Sequence, residues 1–573
     1  MINLKINGMN VTAKEGVTVL EAARSAGIKI PTLCYLKDIN EIGACRLCVV
    51  EVKGAERLCA ACNTVVAEGM EVLTNSPRVI AARRTNLALI LSKHDSHCTT
   101  CVRSGTCLLQ DLSREFNMGK IPFAQSESDL PWDETLPLIR TQSKCVQCMR
   151  CVNVCDKIQA MKVWALIGTG SRSKVWVRGG KKFAETACAF CGQCITHCPT
   201  GALKARDDTM KVIEALADPE KTVIFQVAPA VRSAWAENLD LSPELATEKR
   251  MVAALRAVGA DYVFDTNFTA DLTIMEEANE LLAKMLGKDE FVRPMFTSCC
   301  PGWVRFMKLK YPEYVKQLSS AKSPQQMFGA VAKTYFAEKA GIDPSKIYCV
   351  SVMPCVAKKY ECDVPEVNDS GAGKDVDASI TTREAARLIN MMGINVSALP
   401  EEEFDSPLGT GTGAAVIFGA TGGVMEAALR TAYFALEGKN PDPDTFKAIR
   451  YENGIREVTA TLGGKTVKAA VASGLGNADI IMKKVAAGEC DYDFVEIMAC
   501  PGGCAGGGGQ PIAEGREPAG ERGLKLYALD KANTLRFSHE NPEVNELYAS
   551  FLEKPLSHKA HELLHTDQTK WDI

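Results

Sequence analysis

The sequence lacks the features of a nucleic-acid binder, a membrane-spanning protein or a secreted one. Lys plus Arg number 66 against 70 for Asp plus Glu, a formal charge of −4. The basic excess that a phosphate backbone attracts is therefore missing, and no nucleic-acid partner is expected. No apolar run approaches the roughly 18 residues needed to cross a bilayer. The opening stretch MINLKINGMNVTAKEG has neither the basic-then-apolar layout of a signal peptide nor a transit-peptide pattern. The expectation is a cytoplasmic chain with no direct membrane insertion. Low-complexity sequence is confined to a glycine run at 506–509. With 573 residues, 46% apolar and 24% charged, the composition is that of a globular protein of about four domains.

Cysteine, by contrast, is abundant. There are 24, and in a reducing compartment clustered cysteines point to metal rather than to disulfides. Sixteen lie between Cys34 and Cys198, eight between Cys299 and Cys504, and none between 199 and 298. A cysteine-dense front is thus joined to a larger back portion with a few cysteines set far apart.

The front divides by pattern. Residues 1–16 alternate around Asn7-Gly8, which predicts a β-hairpin. Thr18 and Glu21 form a capping box for a helix through Ala26, stopped by Gly27. With the strand-like CVVEVKG and a second short hairpin, residues 1–78 read as a β-grasp-like domain. Residues 79–95 read as helix and open a small domain at 79–118. Residues 119–138, with three prolines and no clear period, read as a linker. A doubled cysteine run then occupies 139–208. From 209 to 573, buried strand-like segments (KTVIFQVAP, ADYVFDTN, KIYCVSVMP) alternate with helical stretches such as 245–258 and 272–285. That alternation predicts a large α/β domain with parallel sheets in two lobes.

The doubled run is the most specific local signal. Cys145-x2-Cys148-x2-Cys151-x3-Cys155 is followed by Cys188-x2-Cys191-x2-Cys194-x3-Cys198-Pro199. This is the two-cluster bacterial ferredoxin pattern, in which the fourth cysteine of each run serves the other cluster. One [4Fe–4S] cluster takes Cys145, Cys148, Cys151 and Cys198; the other takes Cys188, Cys191, Cys194 and Cys155. A pair of zinc sites would also use CxxC pairs, but two four-cysteine runs with a trailing proline argue against it.

Cys34-x10-Cys45-x2-Cys48-x13-Cys62 suits a [2Fe–2S] cluster, although its spacing differs from the plant-type run. Through GACRLCVVEVKG this stretch resembles the N-terminal ferredoxin-like module of the large iron–sulfur subunit of respiratory complex I. The module's spacing favours Cys62 over Cys59, which is left as an ordinary buried thiol. His94-x3-Cys98-x2-Cys101-x5-Cys107 follows. Zinc would accept these ligands as readily. The setting between two iron–sulfur modules, and the same arrangement in the complex I subunit, favour a third [4Fe–4S] cluster with His94 as ligand and His97 facing solvent.

The back portion carries three motifs: Thr297-Ser298-Cys299-Cys300-Pro301-Gly302-Trp303; Met353-Pro354-Cys355-Val356-Ala357-Lys358-Lys359-Tyr360-Glu361; and Glu496-Ile497-Met498-Ala499-Cys500-Pro501-Gly502-Gly503-Cys504, running on to Pro511. Singly, each is a loop with a buried cysteine. Together, intact and in this order, they resemble the active-site signatures of the [FeFe]-hydrogenases, and with the upstream cluster sites the resemblance spans nearly the whole chain.

The resemblance implies reversible oxidation of H2 at a six-iron H-cluster, a [4Fe–4S] cube bridged to a di-iron centre carrying CO, cyanide and azadithiolate. It places the cube on Cys300, Cys355, Cys500 and Cys504, with Cys504 as the bridge. Lys358 would face a cyanide, and Met353 and Met498 would supply a soft aprotic wall. Pro229, Ala230, Gln325, Pro354 and Phe418 complete the cofactor-binding set. The glycines at 502–503 and 506–509 are expected to let backbone approach the cofactor closely. Cys299 would stay free to carry protons, passing them through Glu277, Ser319 and Glu280.

Two departures bear on the partners. Ala230 stands where single-subunit relatives often have Ser, as in multi-subunit NAD-linked members, and Lys284 stands where some have Arg. The implied partners are H2, protons, ferredoxin and a flavin-containing, NAD(P)-binding subunit. The chain itself shows no nucleotide site: in Gly409-Thr-Gly-Thr-Gly the strand-like VIFG follows the glycines, whereas a dinucleotide fingerprint needs the reverse. Cys349, Cys362 and Cys490 read as structural, and His558, His561 and His565 as a tail helix on the surface. A hydrogen sensor with slow turnover is the alternative, which a substituted thiol at 299 would favour. Assembly-type relatives without the di-iron centre lack the full motif set.

Overall fold

The computed structural model describes residues 1–124, 129–450 and 454–571. Part of the expected linker, 125–128, lies outside the described residues. The chain forms two compact units. The smaller comprises Met1–Ile158, Lys162–Thr186 and Cys194–Lys204; the larger comprises Gln159–Met161, Ala187–Gln193 and Ala205–Ile573.

In the smaller unit, β1 (Ile2–Ile6) and β2 (Met9–Ala13) form the expected hairpin. Asn7 and Gly8 both take left-handed φ, 52° and 80°, the combination a two-residue hairpin turn requires. The Thr18–Glu21 capping box is present and starts α1 (Val19–Ser25), whose Val19, Leu20 and Ala23 are fully buried. With β3 (Val49–Val52), β4 (Cys59–Ala60) and β5 (Glu71–Leu73), the strands make one sheet in the order β2-β1-β5-β3-β4. Ser76 caps α2 (Pro77–Leu91), with Pro at the first turn, where its missing N–H costs nothing.

The larger unit holds two four-stranded sheets. In the first, β6 (Thr222–Val227), β7 (Tyr262–Asp265), β8 (Ile347–Met353) and β9 (Ala378–Thr381) run in the order β7-β6-β8-β9, all parallel. The expected strands at KTVIFQVAP, ADYVFDTN and KIYCVSVMP are the first three of these. Two helices flank this sheet in sequence, α3 (Glu248–Val258) and α4 (Thr266–Met285), and α4 starts directly from the end of β7.

The second sheet corrects the expectation of purely parallel lobes. β10 (Met295–Phe296), β11 (Gly454–Leu462), β12 (Lys465–Ser473) and β13 (Phe494–Met498) run in the order β10-β13-β12-β11, and β11 pairs antiparallel with β12. The reason is local: Gly463 and Gly464, at φ 55° and 73°, make a tight turn that only an antiparallel pair can use. The VIFG segment is not a strand either. Gly413–Val416 is α-helical and Ile417–Gly419 a 3-10 turn, both buried, so its apolar run reflects burial rather than strand pairing. No helix among the described residues is long and apolar enough to cross a membrane.

Candidate active site

The three motifs meet where the strands of the larger unit end. Ala228-Pro229-Ala230 follows β6, Pro354-Cys355 follows β8, Cys299-Cys300 comes shortly after β10, and Met498 closes β13. In open α/β sheets the crevice beyond the carboxyl ends of the strands is where ligands sit. A cavity of about 590 Å³ opens there. Its lining holds Cys299, Cys300, Cys355 and Cys504, the thioethers of Met353 and Met498, and Lys358 as its sole cation. Pro229, Ala230, Gln325, Pro354 and Phe418 line it as well, so every sequence-identified cofactor residue reaches one wall. Cys500 stands behind it, close enough that its charge acts on Cys355 and Cys504. Thr266, Pro324 and Gly419, which sequence reading passed over, also line the space.

The cavity is apolar apart from its sulfurs, and its one cation is held in place. Lys358 Nζ donates to Glu361 Oε2 at 2.7 Å and to the Cys299 carbonyl at 3.3 Å. Burial disfavours the ammonium, but Glu361 beside it outweighs that and keeps its pKa above the ordinary lysine value. Gln325 ties the same carboxylate (3.0 Å) to Ser351 (2.8 Å). Glu361 therefore acts as the hub of this wall, a role that its place in the second motif hints at and sequence reading left unassigned. Glu496 is comparable. Fully buried at the head of the third motif, it accepts the N–H groups of Gly422 (2.8 Å) and Met425 (2.7 Å), and burial pushes its pKa up to about 7.

The glycine run makes close contacts within the protein. A Cβ at 507 would lie 2.1 Å from the Pro354 carbonyl, at 508 it would lie 2.4 Å from the Cys191 carbonyl, and at 509 it would lie 2.8 Å from the Cys355 N. The glycines are thus required so that the cysteine-bearing loops can pack backbone on backbone. Gly509 N–H donates to Pro354 O at 2.8 Å, which fixes the second loop against the third.

From the cavity a row of buried polar groups leads outward along α4. Cys299 is buried at its inner end. Glu277 is fully buried, with the Ser319 hydroxyl and the Ser298 N–H close enough to lower its pKa, although neither carboxylate oxygen has a partner in good hydrogen-bond geometry. Burial, reinforced by the charge of Glu280, pushes its pKa up to about 8. Ser319 Oγ donates to Glu280 Oε2 at 2.7 Å, and Lys284 closes the row on Glu280 Oε1 at 2.7 Å.

Two of the accessory cysteine sets lie close together in the smaller unit. Cys34 pairs with Cys45 and Cys48 with Cys62, and the charges of Cys34, Cys45 and Cys48 all act on Cys62. Cys59 is only half-buried, with its thiol toward the Arg57 carbonyl at 3.7 Å; it lies on the edge strand β4, where the sheet covers one face only. Cys145, Cys148, Cys151 and Cys198 line one cavity of about 290 Å³, so the fourth cysteine of the second run does join the first. Arg140 lines it too, with two buried nitrogens lacking a partner, which suits a bound anionic cluster. His94 is 6% exposed and its buried Nδ1 makes no hydrogen bond. The His97 side chain is 81% exposed and held by Asp95. Cys101 comes so close to Gly201 that a Cβ there would lie 2.6 Å from its sulfur.

Against this geometry the comparisons are consistent. The chain matches the iron only hydrogenase large subunit, C-terminal domain, over residues 221–508. It matches a 2Fe-2S cluster binding domain over 1–77, the NADH-ubiquinone oxidoreductase-G iron-sulfur binding region over 83–122, a 4Fe-4S dicluster domain over 144–202, and the iron hydrogenase small subunit over 518–571. The chain belongs to the iron-only hydrogenase family, oxidoreductases that interconvert H2 with protons and electrons.

It is 47% identical to an NADP-reducing hydrogenase subunit, HndD, of Solidesulfovibrio fructosivorans, over 100% of this chain and 99% of that one. It is 38% identical to iron hydrogenase 1 of Clostridium pasteurianum, over 99% of each. The solved [FeFe]-hydrogenase HydA1 of Chlamydomonas reinhardtii, in a Glu-to-Gln variant, superposes with a TM-score of 0.56 at 45% identity, covering 62% of this chain and 98% of that one. The small-subunit match was not visible as a separate segment in the sequence. In the structure, Leu526 of this region packs fully buried against Ala230, Val416 and Ala420, so the C-terminal segment backs the cavity wall.

Proposed function

We propose that this chain oxidises and evolves H2 at a six-iron centre held in the cavity and conducts electrons through four accessory clusters. The observation that carries this is an apolar cavity in which four thiols, two thioethers and one held ammonium converge. Cys300, Cys355, Cys500 and Cys504 would hold the cluster. Four thiolates are the donor set a [4Fe–4S] cluster takes, and the space in front of them is lined chiefly by apolar side chains. When bound, this cofactor splits H2 and accepts its electrons.

The remaining work belongs to the protein. Lys358 provides a fixed positive charge for anionic ligands, and Glu361 holds it. Met353, Met498, Pro229, Ala230, Pro354 and Phe418 exclude water. Cys299 Sγ takes or gives the proton at the cavity, Glu277 holds it on a fully buried carboxyl, and Ser319 and Glu280 carry it outward.

The accessory set is one [2Fe–2S] cluster on Cys34, Cys45, Cys48 and Cys62, within domain 1–78. A [4Fe–4S] cluster on His94, Cys98, Cys101 and Cys107 lies within 79–118, and two more lie within 139–208 on the cysteine sets given above. Residues 209–573 form the catalytic domain, including the small-subunit-like segment. Ala230, and a relative named as an NADP-reducing subunit, support a cytoplasmic assembly in which a flavin-containing partner handles NAD(P), with ferredoxin as a further electron partner.

The inventory is directly testable. Fully matured protein is expected to contain about 20 irons per chain and to show infrared bands of metal-bound CO and cyanide. Active protein without those bands would refute the reading. His94→Ala is expected to alter one [4Fe–4S] EPR signal while leaving H2 chemistry with an artificial dye largely intact, and His97→Ala is expected to do neither. The reverse pattern would move the ligand to His97.

A further inference from the structure

At the outer end of the row Cys299–Glu277–Ser319–Glu280 an open cavity of about 1190 Å³ reaches the surface, its walls including Glu280, Lys284, Asp289, Lys316, His561 and His565. Glu280 thus faces solvent-accessible space, and the nearest base to it on its own helix is Lys284, ion-paired at 2.7 Å. The Lys284 ammonium donates to Glu280 and offers no acceptor, so it cannot take a proton that Glu280 must release.

The opposite wall carries two imidazoles. His561 lies on the exposed side of α5 (His558–Leu564), and its ring packs on that of His565 at 4.4 Å between centroids. His565 is buried, and both of its ring nitrogens are engaged: Nδ1 lies 2.8 Å from Ser320 Oγ and Nε2 lies 3.0 Å from Glu276 Oε2. Glu276 is itself held by the Leu556 N–H at 2.9 Å and by the Tyr548 hydroxyl. Ser320, which grips His565, also donates its N–H to Glu280 at 3.2 Å. The buried ring is therefore immobilised and registered to the carboxylate, while the outer ring remains at the mouth. A surface tail helix does not require this arrangement.

We infer that His561 is the solvent-side proton carrier of this relay and that His565 is its positioning residue; the inference rests on the relay proposed above. In the oxidation direction a proton leaves the Glu280 carboxyl, crosses the cavity on water, binds a neutral ring nitrogen of His561 and passes to buffer. In the evolution direction it returns by the same groups. The ring and the carboxylate recover their starting charge in each cycle.

The surroundings suit an acceptor. Partial burial and the adjacent His565 lower the pKa of His561 below the ordinary histidine value, while Glu276, Glu280 and Asp289 pull the other way. Lys284 and Lys316, from the facing elements, and His558, Glu562 and Asp567, from the terminal segment, complete the charged groups around it. A neutral imidazole offers a ring nitrogen as acceptor, which an ammonium does not.

The test compares His561→Ala, His561→Gln, His565→Gln and Glu277→Gln in the matured full chain. His561→Ala and His561→Gln are expected to lower turnover about tenfold near neutral pH. Added imidazole is expected to restore His561→Ala, whose missing ring leaves space in an open cavity, but not Glu277→Gln. His565→Gln is expected to shift the pH profile, because it frees the outer ring. A second readout needs no di-iron centre: in the chain lacking it, with 13C-labelled histidine, the titration midpoint of His561 is expected to fall when Glu280 becomes Gln. Unchanged turnover in His561→Ala beside an inactive Glu277→Gln overturns the His561 assignment and leaves the relay standing. Absence of imidazole rescue, or a His561 titration indifferent to Glu280→Gln, also overturns it. Full turnover in Glu277→Gln overturns the relay itself and this inference with it.

Discussion

Replacing Cys299 by alanine is expected to leave iron content and the CO and cyanide infrared bands in place while turnover falls about a hundred- to ten-thousand-fold, the range for loss of a positioned proton-transfer group. The expectation comes from the division of labour among the five thiols. On the proposed ligand set Cys300, Cys355, Cys500 and Cys504 would supply the four donors of a cube, and Cys299, which lines the same cavity, would not be needed for it. Its main-chain carbonyl accepts from Lys358 at 3.3 Å, a contact that alanine retains, so the variant keeps the cation in position. What it removes is a group that can both give and take a proton between the cavity and Glu277. Cys299→Ser, nearly the same shape but far less acidic, is expected to be severely impaired as well. Cys299→Asp is expected to retain some turnover, because a carboxylate can still shuttle. Loss of the cube in Cys299→Ala would make this residue a ligand, and near-normal turnover would remove it from the proton route.

The grouping of Cys145, Cys148, Cys151 and Cys198 around one cavity was legible because the repeat carries it in its spacing. Cys145, Cys148 and Cys151 sit within seven residues, and the exchange of Cys198 into their set follows from the repeat alone. The catalytic motifs were legible for a related reason: each is a loop at or near a strand end, and its residue types answer to the cofactor rather than to the rest of the fold. What depended on long-range packing was not legible. The antiparallel edge turned on the two glycines at 463–464, and the helical VIFG segment could not be told from a strand by apolarity alone. Glu361 was visible as a letter of a motif, but its function required Ser323 and Gln325 to arrive from a segment 38 and 36 positions away and meet Lys358 of its own helix. His565 read as a surface residue because its partners, Ser320 and Glu276, lie 245 and 289 positions away.

Glu277→Gln is expected to combine a loss of turnover as large as that of Cys299→Ala with a stability change of opposite sign that depends on pH. Glutamine fills the same space in the wall of α4 but cannot carry a proton, so the row is cut between Cys299 and Ser319. The stability effect follows from linkage. An unfolded glutamate titrates near pH 4.3, whereas burial, aided by Glu280, pushes the folded carboxyl up to about 8. Between these values the native state binds more protons than the unfolded one. The contribution of Glu277 is therefore fully present below about pH 4.3, declines as pH rises, and is lost above about pH 8. Glutamine has no such titration. Relative to the unmodified protein, Glu277→Gln should become progressively more stable as pH is raised from about 5 to 9, by a few kcal/mol in total, read as a widening gap in thermal midpoints. A gap that does not change with pH would mean that the carboxyl is not held neutral in the folded protein. Full turnover in the variant would show that protons leave the cavity by another route, since no other group in the described row stands between Cys299 and Ser319.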